Sequence, residues 1–259
     1  MTSSSATIRA NGLTKHFGKL VAVSDLSLEV GAGEVFGFLG PNGAGKTTTI
    51  RMLTGLVRPT SGTALVAGYD VAQQPLEVKR RVGFLAETPY LYGKLTGREF
   101  LAFMGGLYEV APTLARQRAD RLLSLFELSD KADELVETYS HGMRQKLALG
   151  GALLHEPPVL FLDEPTSGLD PRSARLVKDL LVALVDRGHT VFLSTHVLEI
   201  AEHLCHRVGI IDHGRVVATG TLDELRYQAH GKGDSLEDIF LQMTGGSEER
   251  ELAAYLHDV

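Results

Sequence analysis

The sequence predicts an α/β fold with a mostly parallel sheet. Short, nearly all-apolar runs at 35–39, 159–162 and 191–194 have the length and composition of strands that are buried on both faces. Segments with helical spacing of apolar residues follow such runs, at 47–56 and 174–185. Because strands that alternate with helices form parallel sheets through crossover connections, the pattern indicates this fold class.

The other elements follow from the same periodicities. Alternating residues predict a strand at 20–30, and a short apolar run predicts another at 82–85. Thr221 and Glu224 have the spacing of a capping box that opens a helix. The remaining predictions are a helix at 198–205, a hairpin of 208–211 with 215–218 around His213-Gly214, and a short amphipathic segment at 236–243.

Helical periods dominate the middle of the chain, at 99–107, 114–128 and 140–154. Pro157-Pro158 ends the last of these helices, because proline lacks the amide hydrogen and clashes with the preceding turn. We therefore predict one domain over residues 1–230, with a helical subdomain at about 88–155 inside it. A short C-terminal extension, 231–259, follows.

Composition narrows the classes of function. The 259 residues are 44% apolar and 22% charged, as in ordinary globular proteins, and the net charge of −6 disfavours a nucleic-acid ligand. One cysteine, Cys205, excludes an intramolecular disulfide and a cysteine-based metal cluster. Residues 1–6 lack the features of a signal peptide, and the apolar runs are shorter than the ~18–20 residues that span a bilayer. We expect any membrane role to require a partner.

A phosphate-binding motif lies between a predicted strand and a predicted helix. Residues 40–47, Gly-Pro-Asn-Gly-Ala-Gly-Lys-Thr, fit the pattern G-x-x-x-x-G-K-[ST]. Glycines let backbone amides curl around a phosphate, and the helix N-terminus adds free N–H groups. The lysine can reach the β- and γ-phosphates, and the threonine hydroxyl can bind Mg²⁺. The candidate nucleotide-binding residues are Gly40, Asn42, Gly43, Gly45, Lys46, Thr47 and Thr48.

Two acids follow the predicted strand at 159–162. In a protein with a phosphate loop, this is where Mg²⁺ is held opposite the phosphates, so Asp163 is a candidate for the metal site. Glu164, one residue further, is a candidate general base for the attacking water.

Further segments resemble the ABC ATPase family. Residues 139–145, Tyr-Ser-His-Gly-Met-Arg-Gln, resemble its signature sequence, and 165–170 resemble its D-loop. His196 resembles the switch histidine, Phe17 stands where an aromatic ring stacks on adenine, and Glu87 stands where glutamine is usual. The resemblance covers about residues 7–225. It implies a P-loop NTPase of the ABC type, with the parallel core sheet, an antiparallel β subdomain and a helical subdomain.

The resemblance also implies roles. Ser140 and Gly142 are expected to contact the γ-phosphate of ATP held by a second protomer, so that a dimer completes the site. His196 is expected to contact the γ-phosphate and help orient the water, and Glu87 to lie near Mg²⁺. His141 and Met143 depart from the common signature, Leu-Ser-Gly-Gly-Gln. With Glu87 in place of glutamine, a negative charge is added near the metal, and its effect stays open.

The details of these motifs are similar to exporter ATPases that work with a separate membrane subunit and move drugs, lipids, polysaccharides or ions. The resemblance implies ATP and Mg²⁺ as cofactors, a transmembrane permease as partner, and a peripheral location at the cytoplasmic face of the membrane. The nucleotide-binding domains form a homodimer or a heterodimer. The alternatives are a soluble ABC ATPase not linked to transport, a regulatory subunit with little turnover, and an importer subunit. The cargo and the role of the C-terminal extension stay open.

Overall fold

The computed structural model describes residues 7–229 and 235–245. Within these ranges the strands are β1 (Ile8–Phe17), β2 (Leu20–Val30), β3 (Val35–Leu39), β4 (Ser61–Val66), β5 (Tyr69–Asp70), β6 (Val82–Leu85), β7 (Val159–Asp163), β8 (Thr190–Thr195), β9 (Arg207–Asp212) and β10 (Arg215–Gly220). The α-helices are α1 (Lys46–Leu53), α2 (Pro75–Arg81), α3 (Gly97–Leu107), α4 (Pro112–Leu125), α5 (His141–Leu153), α6 (Pro171–Asp186), α7 (Leu198–Leu204), α8 (Leu222–Gln228) and α9 (Leu236–Thr244).

A six-stranded sheet, in the order β10-β9-β3-β8-β7-β6, forms the centre of the protein. Strands β6, β7, β8, β3 and β9 run parallel, and β10 returns antiparallel beside β9. Every residue of β3, β7 and β8 is buried, which explains their continuous apolar runs. Because these three strands are adjacent and parallel, the segments that follow them meet at one edge of the sheet. The predicted parallel sheet is confirmed.

A second sheet, in the order β2-β1-β4-β5, is antiparallel. The antiparallel part of the predicted fold is thus confirmed, but only β2 was located from the sequence. Strand β1 was missed because register shifts interrupt its pairing with β2 after Ala10 and again after Leu13, which breaks the alternation of buried and exposed residues. Strands β4 and β5 and helix α2 were also missed. Each is short, and α2 buries only Val78.

Gly62, in β4, lies close to the backbone of β1 at Gly12 and Leu13. Its φ is 82°, and a Cβ atom there would collide with the carbonyl oxygen of Gly12 in β1. Gly68 has nearly the same φ, 84°, but a Cβ atom there would have no heavy atom within 4 Å. Alanine substitutions at the two glycines therefore distinguish two losses of stability. Both variants strain the left-handed backbone, but only the one at Gly62 also causes a collision with a neighbouring strand.

We expect Gly68→Ala to lower the free energy of unfolding by about 1–2 kcal/mol, the usual cost of an L-residue in left-handed conformation. Gly62→Ala should lower it by about 1–3 kcal/mol more, because two paired strands must move apart. Urea unfolding followed by circular dichroism measures both changes. Equal losses in the two variants would contradict the close approach of β1 and β4.

Helices α3, α4 and α5 pack against one another and share a core with the inner face of the parallel sheet. Phe100 and Leu101 of α3, Leu123 of α4, and Leu147 and Leu149 of α5 are buried in it. The predicted helices are confirmed, and two of them begin two residues before the predicted start. The division at about 88–155 and the boundary at 230 stay predictions.

Helix α9 belongs to the predicted C-terminal extension. It begins with a capping box between Ser235 and Asp238, and it packs against α7, α8, β9 and β10. Leu236 and Ile239 are buried there beside Leu225. Residues 235–245 therefore pack on the surface formed by these helices and strands. Residues 1–6, 230–234 and 246–259 lie outside the described part of the chain. None of the helices in that part has the length and hydropathy needed to cross a membrane.

Candidate active site

A cleft of about 420 Å³ opens at the edge of the sheet where β3, β7 and β8 end. The residues that line it are Phe17, Leu20, Val21, Ala22, Asn42, Gly43, Gly45, Lys46, Thr47, Thr48, Glu87, Asp163, Glu164 and His196. The fold brings together all site residues predicted from the sequence except Gly40, Ser140 and Gly142. Gly40 lies at the base of the loop, and Ser140 and Gly142 lie on another element.

The loop from Gly40 to Gly45 joins β3 to α1. Gly43 and Gly45 have φ values of 79° and 107°, and a Cβ atom at Gly45 would lie 2.6 Å from the carbonyl oxygen of Ala22. Helix α1 has neither a side-chain cap nor an acidic residue in its first turn. Its first N–H groups are therefore available to an anion, and the helix dipole favours negative charge at this end.

Lys46 is the cationic centre of the cleft. Its side chain curls over the loop, and Nζ donates to the carbonyl oxygens of Gly40 at 2.6 Å and Pro41 at 3.1 Å. Burial lowers the pKa of Lys46, and the nearby carboxylates of Glu164, Asp163 and Glu87 act in the opposite direction. Among the described residues that line the cleft, it is the only lysine or arginine.

Asp163 ends β7 and is 2% exposed. Its Oδ2 atom accepts a hydrogen bond of 2.8 Å from the hydroxyl of Thr47 in α1, and its Oδ1 atom accepts one from Ser194 in β8. Two elements therefore hold this carboxylate in one orientation beside the phosphate loop. An acid fixed in this way is suited to a divalent cation rather than to proton transfer.

Glu164 directly follows β7 and has a left-handed backbone, with φ of 50°. Its amide donates to the carbonyl oxygen of Ser194 at 3.1 Å, which secures this conformation. Its carboxylate, 8% exposed, lies 2.8 Å from Nδ1 of His196, whose ring is 59% exposed. The pair therefore extends from the buried end of β7 to the open side of the cleft, where a water molecule can approach.

Ser140 and Gly142 stand at the start of α5, outside the cleft. Ser140 is the N-cap, and its hydroxyl accepts a hydrogen bond of 3.3 Å from the amide of Met143. The first turn of α5 contains no acidic residue. The ring of His141 lies against Gly168, where a Cβ atom would come within 2.6 Å of it. This second helix start is thus exposed and unused by the cleft of its own chain.

The sequence reasoning missed two features of the site. Leu20, Val21 and Ala22 form a wall of the cleft beside Phe17, although only a strand was predicted there. Ser194 orients Asp163, and the parallel register of β7 with β8 pairs the two residues directly. A predicted strand that ends in Ser-Thr-His beside one that ends in Asp-Glu was the available signal.

A glycine loop that leads into a free helix N-terminus, a buried lysine, and an acid at the end of a neighbouring parallel strand define the P-loop class of nucleotide-binding proteins. Within that class, a sequence model described as "ABC transporter" matches residues 23–167. The chain belongs to the ABC transporter family. It is the ATP-binding, ATP-hydrolysing subunit of such a transporter.

Relatives and solved structures agree with this assignment. The chain is 48% identical, over 87% of its length and 68% of the relative, to the daunorubicin/doxorubicin resistance ATP-binding protein DrrA of Streptomyces peucetius. It is 40% identical to the doxorubicin resistance ATP-binding protein DrrA of Mycobacterium tuberculosis, over 92% of its length and 72% of the relative.

Among solved structures, an ATP-binding subunit of an ABC transporter is 33% identical, with a TM-score of 0.88 over 92% of this chain and 99% of that one. A dimeric ATP-binding cassette bound to ADP and Pi, in a post-hydrolysis state, is 25% identical. It has a TM-score of 0.77 over 83% of this chain and 98% of that one.

Proposed function

We propose that this chain hydrolyses MgATP in a dimer of nucleotide-binding domains and thereby drives a separate transmembrane permease that exports drug-like compounds. One observation carries the proposal. The phosphate loop, the two acids and the histidine share one cleft, whereas Ser140 and Gly142 start another helix outside it. A helix start that offers free amides is suited to an anion that its own chain does not hold.

Each half of the nucleotide has a matching surface in the cleft. Phe17, half-exposed at the end of β1, offers a ring on which adenine can stack. The amides of Gly43 to Thr48 and the ammonium group of Lys46 bind the phosphates, with Gly40 at the base of the loop and Asn42 at its rim. The cleft therefore fits a nucleoside triphosphate in an extended orientation.

The donor set also fits Mg²⁺. Asp163 and Thr47 place a carboxylate and a hydroxyl 2.8 Å apart beside the phosphate loop, and Glu87 lines the same cleft. Magnesium commonly takes one or two protein ligands and fills the rest of its shell with phosphate oxygens and water. The described residues contain no cluster of three or more His, Cys, Asp or Glu side chains arranged for a metal. When bound, the ion neutralises charge on the phosphates.

Glu164 acts as the general base in this proposal. Its carboxylate accepts a proton from the attacking water, and His196, 2.8 Å away, holds that carboxylate at the open side of the cleft and contacts the γ-phosphate. As the water oxygen bonds to the γ-phosphorus, the bond from that phosphorus to the β,γ-bridging oxygen breaks and ADP leaves, and Lys46 stabilises the negative charge that develops on the phosphate oxygens. The departure of phosphate then removes the anion that bridges the two protomers.

Two copies complete each site. Ser140 and Gly142 of one protomer would donate from the start of α5 to the γ-phosphate in the cleft of its partner. His141, at the start of α5, packs against Gly168 in the loop that follows Glu164. The start of α5 is therefore in contact with the loop that follows the general base of the same chain. The partner is a second copy of this chain or a related subunit.

A complementation experiment tests the shared site. Lys46→Met damages the cleft, and Ser140→Asp keeps the helix cap but places negative charge where the γ-phosphate would bind. Each variant alone should hydrolyse little ATP. An equimolar mixture should recover up to about a quarter of the wild-type rate, because half of the dimers are mixed and each carries one intact site. Normal turnover by Ser140→Asp alone, or no recovery in the mixture, would contradict the proposal.

A second surface fits the membrane partner. A groove of about 420 Å³ lies between the segment that follows α1, helix α2, strand β6 and the end of α3, and its apolar residues include Leu56, Leu76, Met104 and Leu107. Leu76 and Leu107 are 70% and 63% exposed. We propose that a short helix or loop of the permease docks in this groove, which positions the chain peripherally at the cytoplasmic face of the membrane. The drug-resistance names of the relatives support export rather than import.

A further inference from the structure

Lys15 makes two contacts that the reaction described above does not use. It lies two residues before Phe17 on β1. Its Nζ atom stands 5.0 Å from the centroid of the Phe17 ring, within cation–π range. The same atom donates a hydrogen bond of 2.8 Å to the carbonyl oxygen of Arg58.

The two residues differ in their relation to the cleft. Phe17 lines the cleft, whereas Lys15 is not among the residues that line it. Lys15 is partly buried, and its bond to Arg58 holds the charge in place over the ring. Arg58 follows α1, the helix of the phosphate loop. Lys15 therefore links the ring of Phe17 to the segment that follows α1.

We propose that Lys15 is a positioning residue for the adenine base, acting through Phe17. The inference rests on the proposed stacking of adenine on Phe17. A cation held over one face of the ring draws π-electron density toward itself, which makes the opposite face a better partner for an electron-rich purine. It also limits the motion of a half-exposed side chain, so less freedom is lost when the base binds.

Both effects act on binding and neither acts on the phosphates. Lys15→Met should therefore raise the Kd for ATP about 2- to 5-fold, the range expected for an exposed cation–π contact. The Kd for inorganic tripolyphosphate, which has no base to stack, should stay unchanged. The KM for ATP should rise with the Kd, and kcat should stay constant because the reacting atoms are untouched.

Two further variants serve as controls. Lys19→Met removes the same charge from the same hairpin, and Lys19 is exposed and has no ring contact among the described residues. It should bind both ligands as wild type does. Lys15→Arg keeps a cation that can stack on the ring and donate to a carbonyl oxygen, so it should restore ATP binding.

A double-variant cycle with Phe17→Leu separates this inference from the proposed function. If Phe17→Leu raises the Kd for ATP and Lys15→Met then adds nothing to it, Lys15 acts through the ring. If Phe17→Leu weakens ATP binding but Lys15→Met does not, only the role of Lys15 is overturned. If Phe17→Leu leaves the Kd unchanged, adenine stacking and the role of Lys15 both fail. If Lys15→Met raised the Kd for ATP and the Kd for tripolyphosphate equally, the role of Lys15 would also be overturned. The effect would then come from the lost positive charge and not from contact with the ring.

Discussion

Glu164→Gln is expected to lower the steady-state rate of ATP hydrolysis by about 10²- to 10⁴-fold, the range that a lost general base typically produces. Glutamine has nearly the same size, so the left-handed turn after β7 and its bond to Ser194 should persist. Its amide cannot accept a proton from water. Because the phosphate loop is unchanged, ATP should stay bound, and the closed dimer should accumulate.

Three measurements test this prediction: phosphate release, ATP affinity, and size-exclusion chromatography with ATP. Glu156→Gln is a matched control. Glu156 also has positive φ, 54°, and stands shortly before β7, but its side chain is 63% exposed and lies outside the cleft. It should hydrolyse ATP at the wild-type rate. Wild-type turnover by Glu164→Gln would exclude this residue as the base.

Lys46→Met is expected to raise the Kd for ATP by about 30- to 1,000-fold, as when one member of a close, desolvated charge pair is truncated. Lys46 is 8% exposed, and it is the only lysine or arginine among the described residues that line the cleft. Without it, Asp163, Glu164 and Glu87 face the triphosphate with no lysine or arginine among the described residues of the cleft to oppose their charge. Repulsion between these carboxylates and the phosphates then adds to the lost attraction.

Calorimetric titration with ATP measures this effect, and unfolding curves show whether the variant folds. Lys46→Arg provides the informative comparison. It keeps the charge but replaces the compact ammonium group, which donates to the carbonyl oxygens of Gly40 and Pro41, with a larger planar guanidinium group. It should therefore bind ATP more weakly than wild type and more tightly than Lys46→Met. Nearly normal affinity in Lys46→Met would contradict the proposed phosphate site.

The elements that the sequence located correctly are those whose signal is local. Strands β3, β7 and β8 are buried on both faces, so nearly all of their residues are apolar. Such a run can be recognised as a strand without knowing which strands pair with it. The phosphate loop has a motif whose spacing reflects the backbone that it must adopt. Helix α3 has an apolar period because one of its faces meets the core, whereas α5 is buried at every residue from Leu147 to Leu153.

The elements that the sequence did not locate depend on pairing. Strand β1 pairs with β2 on one side and β4 on the other, and its register shifts after Ala10 and Leu13 toward β2 and after Asn11 toward β4. No local pattern shows which residues of such a strand are buried. Strand β5 has two residues, Tyr69 and Asp70, and owes its geometry to β4. Propensity over so few residues is too weak to compete with tertiary contacts.

The sequence by itself determined the fold class, the order of the motifs and the residues of the phosphate loop and its two acids, because these follow from covalent spacing and side-chain chemistry. The resemblance to ABC ATPases added Phe17, Glu87, Ser140, Gly142 and His196 to the candidate site. The tertiary structure decided which of them meet. Parallel pairing of β3, β8 and β7 brings Lys46, Asp163, Glu164 and His196 into one cleft, although about 150 residues separate the first from the last. It also leaves Ser140 outside that cleft. Distances across a sheet depend on strand order and register, and residues far apart in the chain set both.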